Sequence, residues 1–141
     1  MKYAASTWRN ASLFGLVALF VLTLLFFSLD RRLFNVAAGL AIIFGLLGLV
    51  LVVLTLRLQE PRLHRVFFLL TGISAALIPI SVVLHNLVYA LCIVFFGEGF
   101  WEGGSDEPFF FILALIVCPA LFIVGAVGSM AFLVRANIAK E

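Results

Sequence analysis

Residues 36–56 read VAAGLAIIFGLLGLVLVVLTL and carry no charge, with Asp30, Arg31 and Arg32 shortly before them and Arg57 directly after. About 20 apolar residues in a helix cover the ~30 Å hydrocarbon layer of a bilayer. Working outward, the pattern recurs at 12–29, 66–96 and 109–134, and nearly every charged side chain falls between these stretches or at the ends. The expected fold is all-α: a polytopic membrane protein built as a single four-transmembrane-helix bundle with short loops, spanning residues 1–141.

Composition agrees. Of the 141 residues 65% are hydrophobic and 11% charged, against roughly 45–50% and 25% in soluble domains. A water-soluble domain of this size could not hide so much apolar surface, so lipid is the expected solvent. The net charge of +2, scattered beside the spans, does not suggest nucleic acid as a partner. Cys92 and Cys118 lie inside spans and match neither C-x-x-C nor zinc-ligand spacing. Their different depths, counted from the outer helix ends, argue against a disulfide. Residues 12–29 are too long for a signal-peptide core and end without a small-x-small cleavage site, so a retained first span is expected.

The charges also orient the chain. With four spans, one side holds Lys2, Arg9, Arg57, Arg62, Arg65, Arg135 and Lys140, and the other only Arg31 and Arg32. Basic flanks resist translocation, so the first side is expected to be cytoplasmic, with both termini inside. The acidic residues Asp30, Glu98, Glu102, Asp106 and Glu107 sort outward; Glu60 and Glu141 stay inside. The expected location is a bacterial inner (cytoplasmic) membrane, with the acidic loop 97–108 extracytoplasmic.

Within the spans, small residues mark close helix contacts. Ala38, Ala41, Gly45 and Gly48 share one stripe of the second span; Ala114, Cys118, Gly125 and Ser129 form two small-xxx-small pairs on the fourth. Such stripes let backbones approach. Ala38, Ala41, Gly45, Gly48, Gly125 and Ser129 are the expected packing seam, within the chain or between copies. The first span has few polar groups and is expected to be the most lipid-exposed.

The third span is long, opens after Pro61 and contains Pro79, so it must tilt, bend or project. Thr71, Ser74, Ser81, His85, Tyr89 and Cys92 fall on one face, with Asn86 beside it. His85 is the only ionisable side chain deep in a span, a position that invites a functional reading. With straight helices, His85 and Cys118 lie at similar depth. Ser81, His85, Asn86, Tyr89 and Cys118 are therefore the candidate buried polar cluster. Pro119 withdraws the N–H that the Leu115 carbonyl would accept. The plain alternative for His85 is a neutral ring bridging helices.

In the outer loop, Glu98, Glu102, Asp106 and Glu107 stand among four glycines, a set of hard oxygen ligands without EF-hand spacing. The alternative is a solvated loop paired with Arg31 and Arg32, or a docking surface with Phe100 and Trp101 as anchors. The stretch 57–65 reads as a topology signal touching anionic headgroups, with His64 interfacial. No catalytic constellation and no cofactor motif is present, and whether a metal binds is left open.

The leading expectation is a non-enzymatic accessory, assembly or structural subunit. It would act in a larger membrane complex or homo-oligomer, with the lipid bilayer and other membrane subunits or itself as partners. The second is a small oligomeric transporter or channel with the polar third helix lining the path. The third is a membrane enzyme or metal-binding protein using His85 or the outer acidic loop.

Overall fold

In the computed structural model, residues 2–29, 31–101 and 108–138 are described; side chains are described for all of these except residues 2, 3, 31 and 137. Four helices follow one another: α1 (Lys2–Leu29), α2 (Phe34–Arg57), α3 (Arg62–Phe96), and α4. The last comprises Pro108–Ile112, a π-helical turn at Leu113–Val117, and Cys118–Ile138. Short 3₁₀ turns at Arg31–Leu33 and Glu98–Trp101 join α1 to α2 and follow α3. All four helices are long and apolar enough to cross a membrane. No strand occurs among the described residues.

The helices overrun the apolar stretches that announce them. α1 begins at Lys2, ten residues before the apolar run, since Lys, Ala and Arg are good helix formers; the partners of Arg9 (below) account for its burial. α3 starts directly after Pro61, whose ring fixes φ at −51°, and the Pro61 carbonyl accepts the Arg65 N–H at 3.1 Å. Its 35 residues correspond to about 52 Å, and the helix continues through Pro79. It stops at Gly97, whose φ of +87° lies where an L side chain is strained.

α3 is the central element. It packs along α2 on one side and α4 on the other, while α1 packs along α2. Burial follows: 39% of the most apolar window of α3 is buried, against 17% of that of α1. α1 is accordingly the most exposed helix.

The two seams of α3 are backbone-close. A Cβ on Gly48 would meet the Gly72 carbonyl oxygen at 2.7 Å and the Ala75 Cβ at 2.8 Å. One on Gly45 would run into the Pro79 ring. Across the other seam, a Cβ on Gly125 would sit 2.6 Å from Thr71 Oγ1 and 2.7 Å from its backbone nitrogen, and Gly128 lies against the Phe67 ring. Close approach multiplies dispersion contacts, the main attraction left between helices when the solvent is itself apolar.

α1 reaches α4 differently, through large side chains. Phe20 lies 4.8 Å from Phe122 and 5.9 Å from Phe44, and Phe44 meets Phe122 edge-on at 5.1 Å. Leu13, Leu16, Leu51, Phe68, Ala75 and Ala126 complete the buried core.

Candidate functional site

The most chemically distinctive place lies where α1 begins, α2 turns into α3 and α4 ends. α2 stops at Arg57, and the Leu58 N–H turns back to the Thr55 carbonyl at 3.3 Å. The connection is then only residues 58–61, and Pro61 holds Glu60 directly before α3. Helical spacing from Glu60 puts His64 one turn on, with Nδ1 3.5 Å from Glu60 Oε2. On α1, Arg9 points inward and is 4% exposed.

These groups meet. Arg9 donates from Nη1 to Glu60 Oε1 at 2.8 Å. Its Nε and Nη2 donate to Asn10 Oδ1 at 3.2 and 3.0 Å. The guanidinium also lies over the Phe68 ring, 4.1 Å from the centroid, where the negative face of the ring attracts it. The His64 ring packs on Phe132 of α4, 4.2 Å between centroids. A polar cavity of about 270 Å³ borders Ser6, Arg9, Glu60, His64, Phe132 and Ala136.

An isolated buried guanidinium is very costly, so the carboxylate, the amide and the ring together make Arg9 tenable. Arg9 joins α1 to the α2–α3 connection and to α3, and the His64 ring carries the contact on to α4. The network sets a carboxylate beside an imidazole, with the Ser6 side chain on the same cavity. Among the described residues, no three His, Cys, Asp or Glu side chains gather where a metal could be held.

Sequence reasoning missed this site, treating Arg9 and Glu60 as membrane-flanking charges and His64 as interfacial. One signal was available: Glu60 and Glu141 are the only carboxylates sorted to the Arg-rich side, and Glu60 sits directly before Pro61 between Arg57 and Arg62.

The candidate polar cluster is distributed differently. Ser81 and Cys118 are buried, each 1% exposed, and the Ser81 hydroxyl has no hydrogen-bond partner among the described residues. His85 is half-buried, its ring 5.6 Å from that of Phe111. Phe111 precedes Cys118 by seven residues, roughly 10 Å of helix, so His85 and Cys118 stand at different depths. Tyr89 stacks on Trp101 at 5.8 Å. Asn86 faces outward, its Nδ2 donating to the Val82 carbonyl at 2.8 Å. One turn away, Val83 borders a shallow apolar groove of about 300 Å³ between α2 and α3, shared with Ile42, Leu46, Leu49 and Pro79.

The small-residue stripe divides. Gly45 and Gly48 face α3, Ala41 borders a cavity between α1 and α4, and Ala38 is exposed. On α4, Gly125 faces Thr71, and Ser129 is fully buried, its hydroxyl without a partner among the described residues. Of the acidic loop, Glu98 is exposed in the 3₁₀ turn; Glu102, Asp106 and Glu107 lie outside the described residues. Cys92 and Cys118 are free thiols.

Comparison with protein families, with curated proteins and with solved structures gives no match.

Proposed function

We propose that this chain is an integral membrane protein acting as a non-enzymatic structural or accessory subunit, its third helix covered by another membrane protein or by a second copy. The observation that carries the reading is Asn86. It stands exposed ten residues before the end of α3, at a depth where a polar side chain facing lipid is unfavourable. Its Nδ2 is engaged, but its carbonyl oxygen still offers an acceptor. The adjoining groove gives a partner helix an apolar seat beside that acceptor.

The Arg9 network supports the same reading, because its charges neutralise one another inside the chain and fasten helices together. The basic bias supports a cytoplasmic placement for the Arg9 end and both termini in an inner (plasma) membrane, with loop 97–108 outside.

Gentle extraction from the native membrane followed by native mass measurement tests the proposal. The expected result is a stoichiometric complex that weakens on Asn86→Leu without a change in helix content. A lone monomer carrying only lipid would overturn it. The same exposed face favours, as second reading, a small transporter whose path runs between copies. That reading requires a homo-oligomer and loss of flux on His85→Leu.

A further inference from the structure

At the end of the molecule that holds the Arg9–Glu60 pair, the remaining charges do not balance. Arg57 ends α2, Arg62 and Arg65 stand in the first turn of α3, and Arg135 lies in the last turn of α4. All four are exposed. Glu60 is the one carboxylate described at this end, and both its oxygens are engaged: Oε1 by Arg9 at 2.8 Å, and Oε2 beside His64 Nδ1 at 3.5 Å. Among the described residues none of the four exposed arginines has a carboxylate partner. The buried arginine has taken the counter-charge that the sequence places between Arg57 and Arg62.

Packing gathers these cations around the start of α3. Only residues 58–61 separate Arg57 from Arg62. On α4, Gly128 lies against the Phe67 ring of α3, and Arg135, two helical turns further on, shares its stripe. Phe132, between them, meets the His64 ring. The positions beside the arginines are aliphatic. Leu56 and Val134 directly precede Arg57 and Arg135, and both are more than half exposed. Leu63 and Val66, next to Arg62 and Arg65, are 58% and 50% exposed. Trp8 adjoins Arg9, hence stands near the level of Glu60, and is 67% exposed, as suits an aromatic belt at a membrane–water boundary.

We propose that this surface binds anionic phospholipid, with phosphate on Arg57, Arg62, Arg65 and Arg135 and acyl chains along the adjoining aliphatic side chains. Guanidinium groups match phosphate in charge and in geometry, and arginines clustered at a helix end attract an anionic leaflet. A soluble polyanion would pair with the arginines and leave the leucines and valines uncovered. A zwitterionic lipid brings a cation along with its phosphate. The inference rests on the reading of the chain as an integral membrane protein, and is independent of whether a partner covers α3.

The test uses the purified full-length protein in detergent, with bound lipids counted by native mass spectrometry. Dioleoylphosphatidylglycerol should be retained about tenfold or more over dioleoylphosphatidylcholine, and the preference should shrink as NaCl is raised. Replacing all four arginines with Gln should bring the two lipids within about twofold of each other at unchanged helix content. If that variant does not fold, Arg62→Gln with Arg65→Gln should cut the preference several-fold. Arg31→Gln with Arg32→Gln, in the turn between α1 and α2, should leave it as it is. Millimolar inorganic phosphate should not displace the phosphatidylglycerol; displacement would mark a site for a free anion and overturn the lipid assignment. Equal retention of both lipids by the native chain, or an unchanged preference after the four replacements, would overturn it too. Flotation with phosphatidylcholine vesicles separates two failures. A chain that floats without lipid preference refutes this inference alone, whereas one that does not float refutes the membrane reading beneath it.

Discussion

Arg9 Nη1 lies 2.8 Å from Glu60 Oε1 across 51 positions of sequence. The pair lies at the end of the molecule where α1 begins, α2 turns into α3 and α4 ends. Its energetics are asymmetric. The arginine side chain is 5% exposed and the glutamate 24%, so removing the carboxylate strands a nearly buried cation, while removing the arginine frees a carboxylate that water already reaches.

Glu60→Ala is therefore expected to destabilise the protein more than Arg9→Ala does. The loss should sit near the low end of the roughly 3–5 kcal/mol seen when buried pairs are broken, because Glu60 is partly solvated. Replacing both residues with Met should recover much of the loss, since two apolar side chains leave no unpaired charge. Denaturation of the three variants in mild detergent, followed by circular dichroism, checks the order; equal losses for the two single alanine variants would contradict it.

Gly48→Ala places a methyl group against backbone on α3, at 2.7 Å from the Gly72 oxygen. Backbone cannot rotate away, so α2 and α3 must separate along the seam. A loss of about 1–3 kcal/mol is expected, as for overpacked interiors. Gly39→Ala is the control, because nothing lies within 4 Å of that position; it should be neutral or slightly stabilising through helix propensity.

Gly97→Ala probes strain without a clash. A Cβ there also meets nothing within 4 Å, but the residue holds φ at +87°. The expected cost of about 1–3 kcal/mol is conformational. It should appear as local fraying of the end of α3, with faster amide exchange near Ile93, rather than as a shift in the whole unfolding transition.

Phe122 is 2% exposed and touches both Phe20 and Phe44. Phe122→Ala should cost about 3 kcal/mol, the low end for deleting a buried ring. Phe122→Leu should cost less than half of that. Because this ring spaces α1 from α4, the distance between spin labels on those two helices should shorten in the alanine variant and change little in the leucine one.

Much of the architecture is legible along the chain because one requirement dominates it. Within a bilayer a single apolar segment must form every backbone hydrogen bond within itself, so long apolar runs read as helices and their number follows. The limits of the helices are less legible. The charges near Lys2 and Arg9 look like the end of a span, and that Arg9 is buried rather than solvated depends on the carboxylate and the ring that meet it. The small residues of α2 are visible as a stripe, yet their spacing speaks of close approach and not of direction. Gly45 and Gly48 turn to α3, whereas Ala41 borders a cavity and Ala38 is exposed.

The candidate chemistry shows the same division. His85 stands out by being ionisable in an apolar run, and counting along straight helices sets it level with Cys118. The packing of α3 on α4 instead puts Phe111 beside His85. In the same way Pro119 announces an unpaired carbonyl, but not that the ladder slips by one residue just before it, where the Cys118 N–H goes to the Leu113 carbonyl.

Local rules, then, are written in the chain itself: which stretches are apolar enough to be helical, where their charges gather, and which residues permit close contact. They follow from hydrogen bonding and transfer energies, which act on each segment separately. Which helices meet, that Arg9 finds Glu60, and that α1 and α4 leave a recess between them depend on the relative rotation of packed helices. That rotation is set by the summed fit of many weak contacts between residues far apart in sequence, and no single stretch contains it.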